Sequence, residues 1–145
     1  MPHKTVQDTS LEKSYLILFR FLMMSKHRVI ELGNEYALTA MQTMTLFVLE
    51  RDLAMHELKN VFNCDASNIT GLVDGLESKD LATRYEDPKD RRIKLIRLSK
   101  KGEEVRTSLL YRAVQESQLL SNLNKDEQRQ LIDLLAKVTD GHMAP

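Results

Sequence analysis

Little in this sequence breaks the chain or staples it. Its 145 residues include 5 glycines, 3 prolines, one cysteine and no tryptophan, and aromatic residues make up 6%. So few turn-formers argue against an all-β architecture and favour helix. A lone cysteine, Cys64, excludes an intramolecular disulfide and suits a reducing compartment. Apolar runs such as Tyr15 to Phe19 and Leu46 to Leu49 are far short of the ~20 residues a membrane-spanning helix needs. Met1-Pro2-His3-Lys4 lacks the apolar run of a signal peptide, so a cytoplasmic protein with no membrane partner is expected. Net charge is missing too, with 21 basic against 21 acidic residues. Any role in binding an acidic partner must then come from where charge sits, not from its total. What is present, 42% apolar and 29% charged residues, is enough for one compact domain, with or without an oligomerisation arm.

The apolar pattern is helical over most of the chain. Leu11, Tyr15, Leu18 and Leu22, flanked by Leu16, Phe19 and Met23, give a first helix with a wide apolar face that fades near Gly33-Asn34. Thr39 and Gln42 form a capping box for a second helix, with Met41, Met44, Leu46, Phe47 and Val48 on its apolar side and an end near Arg51-Asp52. A short helix over Met55–Phe62 turns Leu58, Val61 and Phe62 inward, and Asn63 suits a left-handed stop. Asp65 then reads as the N-cap of a helix reaching about Ser78, with Ile69, Leu72, Val73 and Leu76 as its buried stripe. Two short helices joined by a tight turn make a helix-turn-helix. Leu81 to Tyr85 and Ile93 to Leu98 read as the strands of a β-hairpin with a charged tip opened by Asp87-Pro88. Ser99 caps a further helix carrying Val105, Leu109, Leu110, Ala113 and Val114, then Leu119 and Leu120. A last helix starts at Asn124, carries Leu131, Leu134, Leu135 and Val138, and ends at Gly141. The fold class is mainly α: a winged helix-turn-helix between long N- and C-terminal helices.

Charge concentrates in one place. Between Lys89 and Lys101 stand Lys89, Arg91, Arg92, Lys94, Arg97, Lys100 and Lys101, with Asp90 the only acid; seven bases less one acid leave a local +6. A charged hairpin tip is solvated in any protein. This one directly follows a helix-turn-helix, where a wing flanking a helix in a DNA groove would lie, and such a cluster can neutralise phosphates. Arg at a hairpin tip also suits the narrow minor groove. On the preceding helix the exposed Ser67, Asn68, Thr70 and Gly71 stand at the N-terminal end, where side chains reach base edges and phosphates. Against this, Asp74 and Glu77 outweigh Lys79 on the same helix, and Ser67 and Asn68 are ordinary first-turn residues.

These residues resemble a known family. Asp65-Ala66-Ser67-Asn68-Ile69-Thr70-Gly71-Leu72-Val73-Asp74-Gly75-Leu76-Glu77 is similar to the recognition helix of MarR-type (multiple antibiotic resistance) regulators. The family's wing signature, Asp-x-Arg, five residues, then Leu-Ser, is matched by Asp90-Arg91-Arg92 and Leu98-Ser99, with Asp87-Pro88 before and Lys101-Gly102 after; Leu38-Thr39 and Gln42 match the start of the second helix. The order of elements agrees from Leu11 to Val138, the motifs from Leu38 to Gly102. The resemblance implies a homodimer: residues 1–37 and 103–145 as dimerisation segments, 38–102 as the winged helix binding double-stranded DNA. It implies DNA contacts from Ser67, Asn68, Thr70, Gly71, Arg84, Lys89, Arg91 and Arg92, with Arg92 in the minor groove and Asp90 positioning the wing. The sequence departs from the pattern at Gly75, where many members carry a basic residue, and at Asp80, where a glycine usually stands.

The wide apolar stripes of the first and last helices also favour a dimer, because a thin winged helix cannot cover them. Cys64, just before the recognition helix, is a small apolar packing residue first and a redox-sensitive thiol second. His3, His27, His56 and His142 show no metal-ligand spacing, so no metal or cofactor is expected. With no nucleophile elbow or phosphate loop, an enzyme is not expected either. The resulting expectation is a dimeric regulator, a repressor of a pseudo-palindromic operator released by a small molecule or oxidation. The alternative is a winged helix that binds protein as an adaptor or anti-repressor.

Overall fold

A computed structural model describes residues 9–139. The expected stop at Gly141 and the polar segment before Thr9 lie outside them. The order is α1 (Thr9–Glu35), α2 (Ala40–Val48), β1 (Leu53–Ala54), α3 (Met55–Phe62), α4 (Ala66–Glu77), β2 (Ala82–Glu86), β3 (Lys94–Leu98), α5 (Lys100–Ser117) and α6 (Lys125–Thr139). This is the mainly helical winged architecture expected, with one element more than the sequence announced. The hairpin β2–β3, in register from Ala82 opposite Leu98 to Glu86 opposite Lys94, gains a third antiparallel strand, β1, on the far side of β3. Leu53 and Ala54 are both buried there opposite Ile96 and Leu95. To supply that strand the chain leaves α2 at Leu49, earlier than expected.

The core lies where the three short helices meet the sheet. Leu46 of α2, Leu58 of α3, and Ile69, Val73 and Leu76 of α4 are fully enclosed with Ile96 of β3. Leu32 of α1 and Leu109 of α5 close it from the long helices. Each such leucine withdrawn from water contributes on the order of 1.5–3 kcal/mol. The buried side of α2 is more polar than its apolar pattern suggests: Thr43 and Thr45 are inside while Met41 is exposed. Their hydroxyls donate to the carbonyls of Thr39 and Met41, at 2.9 and 2.7 Å, so their burial leaves no donor unpaired. On α3, Val61 faces solvent, contrary to expectation. Leu58 and Phe62, four residues apart, share the inner face, and Val61 falls about 100° from Phe62 around the helix.

Glycine has an unusual distribution of labour here. None of the described glycines has a positive φ; the left-handed positions are Ala37, Asn63, Asp80 and Gln118. After α1, α3 and α4 the exit is the same paired motif. Leu38, Cys64 and Leu81 N–H groups reach back to Gly33, Lys59 and Leu76, while Ala37, Asn63 and Asp80 reach Asn34, Asn60 and Glu77. Asp80 therefore keeps the turn geometry that its departure from the family pattern had put in question. The left-handed Gln118 ends α5 and leaves Leu119 and Leu120 beyond the helix that was expected to include them.

Glycines serve close approach instead. A Cβ on Gly33 would lie 2.0 Å from Thr43 Oγ1, and one on Gly102 would lie 1.9 Å from the Leu81 carbonyl oxygen. That carbonyl accepts from Ser99 N–H at 3.0 Å, and Ser99 Oγ accepts from Gly102 N–H at 3.0 Å as the α5 cap. Gly102 is thus the point where the start of α5 meets the chain leaving α4.

Outside this core the long helices are bare. Leu11, Tyr15, Phe19, Leu22 and Met23 of α1 are all more than half exposed. α6 has no buried residue although Ile132, Leu134 and Val138 lie along it. The inner half of α1 is tied to α5 by Arg112 to Glu35 at 2.6 Å, by Arg28 to Glu116 and by Tyr36 Oη to Ser108 Oγ at 2.9 Å. The Arg112 guanidinium holds Glu35 and Glu116 below the usual carboxylate range. Those ties are intact at neutral pH and are lost as acid carries the pH down through the lowered values.

Two substitutions test these backbone assignments by urea unfolding. Gly102→Ala forces its methyl into the Leu81 carbonyl and is expected to cost about 1–3 kcal/mol or more. Ala37→Gly removes the left-handed penalty and is expected to gain roughly 1 kcal/mol.

Candidate nucleic-acid interface

α4 buries one side and shows the other. Ile69, Val73 and Leu76 lock it to the core, leaving Ser67, Asn68, Thr70 and Gly71 exposed together at its N-terminal end. Thr70 Oγ1 donates to the Ala66 carbonyl at 3.0 Å, which fixes its rotamer. Asp65 has the extended backbone of an N-cap, φ −73° and ψ 155°, but its side chain makes no capping bond, so the first N–H groups of α4 have no carboxylate across them. A Cβ on Gly71 would meet nothing within 4 Å. An exposed mid-helix glycine costs about 1 kcal/mol against alanine. The packing of this chain does not call for one here, in contrast to Gly33 and Gly102. The open side of Gly71, with Asn68, Thr39, Met41 and Cys64, borders a shallow hollow of about 360 Å³. Cys64 itself is half-buried and packs against the core.

Gly75 has a different reason. A Cβ there would lie 2.4 Å from Gln42 Nε2. Gln42 is buried and closes the α2 capping box, its Oε1 accepting from Thr39 N–H at 3.1 Å while Thr39 Oγ1 accepts from Gln42 N–H at 3.2 Å. A side chain at 75 would have to displace the end of the Gln42 side chain.

The wing tip, residues 87–93, is shaped by two aspartates. Asp87 N–H donates to the Ile93 carbonyl and Ile93 N–H to the Asp90 carbonyl, both at 2.9 Å. Asp87 Oδ1 takes Lys89 N–H at 2.8 Å. Asp90 Oδ1 accepts from both Arg92 N–H and Arg92 Nε at 3.1 Å, and Oδ2 from Nη2 at 3.2 Å. The Arg92 side chain, then its backbone N–H, holds the Asp90 carboxyl below the ordinary range. Asp90 thereby fixes both the turn and the direction of Arg92, whose side chain stays 90% exposed. Lys89 and Arg91 are exposed, and neither side chain pairs with an acid among the described residues.

The rest of the basic cluster is partly committed. Lys94 pairs with Glu86 at 2.8 Å, and Arg97 pairs with Asp52 at 2.8 Å while lying 4.0 Å over the Tyr85 ring, whose hydroxyl also donates to Asp52. Lys101 Nζ donates to the Lys79 carbonyl at 2.8 Å. The local +6 read from the sequence therefore overstates what is available to a partner. Arg84, one of the DNA contacts the resemblance implies, lies on β2 with its guanidinium between Asp74 and Glu77 of α4, at 2.5 and 2.6 Å. The same pairing offsets the two acids that had counted against α4. Sequence reasoning also missed the Asp52–Tyr85–Arg97 group, which fastens the wing base to the loop before α3; nothing in local spacing signals a partner 33 residues away. Among the described residues no cluster of His, Cys, Asp and Glu has the makings of a metal site, and no helix is long and apolar enough to cross a membrane.

Two variants separate shape from contact. Gly71→Ala is expected to stabilise the protein by about 1 kcal/mol in thermal unfolding; if a partner's surface lies against Gly71, it weakens that binding at the same time. Asp90→Ala leaves Arg92 present but undirected, and amide exchange should quicken over 87–93 while the core amides keep their protection.

Comparison with known proteins agrees with this geometry. Residues 38–94 match the model of the MarR family. YdgJ, an HTH-type transcriptional regulator of Bacillus subtilis, is 30% identical over 99 residues, 68% of this chain and 60% of that protein; the chain thus matches about three fifths of this relative's length. Among solved structures, the transcriptional regulator BldR from Sulfolobus solfataricus is similar at 29% identity and a TM-score of 0.67, over 92% of this chain and 96% of that one. Wild-type MarR in its apo form from E. coli is similar at 25% identity and a TM-score of 0.65, over 84% and 93%. With the helix-turn-helix of α3 and α4, the sheet that carries the wing, and the motifs from Leu38 to Lys94 all in agreement, residues 38–94 carry the winged helix of the MarR family, and the chain is similar to transcription regulators of that kind.

Proposed function

We propose that this protein is a homodimeric repressor that binds a pseudo-palindromic site in double-stranded DNA, each subunit placing α4 in a major groove and its wing tip against the neighbouring minor groove. One observation carries the reading. The exposed end of α4, bare of any capping carboxylate and open at Gly71, belongs to the same winged helix as a tip whose Lys89 and Arg91 pair with no acid among the described residues and whose Arg92, directed by Asp90, is 90% exposed. Helix N-termini with free N–H groups attract phosphate, and exposed cations release counterions from it.

The dimer is supported by the outer helices. An isolated 15-residue helix is marginal in water, and α6 has no buried residue in a single subunit, nor is the apolar face of α1 covered. A second copy covering both faces is the occupant the family likeness favours. Action in the cytoplasm, and release by a small molecule or by oxidation, belong to the same proposal and draw on that likeness. A protein-binding adaptor was favoured by acids on the recognition helix, and Arg84 offsets those acids.

Fluorescence anisotropy on source genomic fragments, followed by footprinting of those retained, tests the DNA reading. Affinity is expected to fall about 10³–10⁵-fold between 50 and 200 mM salt, as for proteins making 6–10 phosphate contacts. Arg92→Ala should weaken binding, while salt-insensitive or absent binding would favour the adaptor. For the dimer, sedimentation should give twice 16.7 kDa. Leu134→Glu alters a side chain that a lone subunit already exposes, so a fall to the single-chain mass would show that a partner covers it.

A further inference from the structure

Arg84 joins the wing to the recognition helix in three ways. Its backbone N–H, on the edge of β2 away from β3, donates to Glu77 Oε1 at 2.7 Å. Its Nη2 donates to Glu77 Oε2 at 2.6 Å and to Asp74 Oδ1 at 2.5 Å. Asp74 and Glu77 stand three residues apart on one face of α4, so one guanidinium spans both. The side chain is only 31% exposed, whereas Arg92 at the tip is 90% exposed.

Two consequences follow from the charges. Without Arg84, two carboxylates would face outward from the helix that is to approach a polyanion, and each would repel phosphate. Both acid bonds come from Nη2, so a phosphate could reach only Nε or Nη1, beside two carboxylates that repel it, and drawing the guanidinium away would leave those acids bare. The bond to its backbone N–H also occupies an outward donor of an edge strand and sets how β2 lies along α4.

We propose that Arg84 is a positioning residue for DNA binding and not a phosphate ligand: it clamps the wing strand to the recognition helix and screens Asp74 and Glu77 from the DNA. The proposal rests on the DNA-binding reading above.

The test is duplex affinity against salt for the full-length protein, wild type and variants, on a fragment the wild type retains. If the wild type shows no salt-dependent binding, the DNA reading fails, and with it the proposal that rests on it. If it binds, Arg84→Ala is expected to weaken affinity about tenfold or more. While Asp74 and Glu77 keep their charge, the slope of log affinity against log salt should flatten, because salt screens the repulsion of the bared acids. In an Asp74→Asn, Glu77→Gln background, removing Arg84 should cost less than about threefold, because the acids it screens are gone. The neutralised protein itself should bind as tightly as the wild type or more tightly, whereas a merely structural clamp, broken with its acids, would bind more weakly. The proposal is overturned if, in the neutralised background where no acid is left to repel, removing Arg84 flattens the slope by about 0.9 for each subunit, the signature of a lost phosphate contact. It is also overturned if removing Arg84 costs as much in the neutralised background as in the wild type. Should Arg84→Ala fail to fold, Arg84→Gln keeps N–H donors toward both acids without the charge and carries the same slope and rescue measurements.

Discussion

Everything functional here depends on α4 burying one face completely. Ile69, Val73 and Leu76 are enclosed by α2, α3 and the sheet, and that attachment alone determines which residues of the helix remain outside. A rotation of one residue would turn Ser67, Asn68 and Thr70 by about 100° and bring polar groups into the core. The neighbouring elements reinforce the same orientation. Gln42 occupies the space over Gly75, and Gly102 lets α5 start against the Leu81 carbonyl, close behind the exit of α4. The wing is held at its base by Asp52, Tyr85 and Arg97, and to α4 by Arg84. The exposed surface of α4 and the wing is a by-product of packing: the core fixes the helix, and the helix and loop acids fix the wing.

Much of this was legible in the sequence where local chemistry decides the outcome. The Thr39–Gln42 capping box, the left-handed Asn63, the Ser99 cap and the limits of α3 are set by residues within one turn of each other. The hairpin was legible because alternating residues flank an Asp-Pro turn. What could not be read depends on distant partners. β1 is two residues long, too short for any periodicity, and exists only because β3 offers a free edge. The acids that hold Arg84 lie across the α4–β2 junction, seven and ten residues upstream, where no local pattern signals them. Gly75 looked like a missing positive charge, and its neighbour, the end of the Gln42 side chain, comes from α2, 33 residues upstream.

The glycines show the same division. The sequence holds only five glycines, and Asp80 stands where the family pattern has one. The chain instead lets Ala37, Asn63, Asp80 and Gln118 take those turns and keeps glycine for contacts where a methyl group does not fit. Gly71 stands apart, exposed with nothing against it, which singles it out as a place for a partner's surface. The uncovered apolar faces of α1 and α6 are a comparable gap at larger scale, and a symmetric second copy would fill it while doubling the reading surface.

Amide hydrogen exchange, with and without a retained duplex, measures the central claim most directly. The account predicts added protection at the start of α4, residues 66–71, and at the wing tip, residues 87–93, with the outer surface of α3 around Val61 unchanged. Protection centred on α3, with the tip of the wing exchanging as fast as in the free protein, would contradict it.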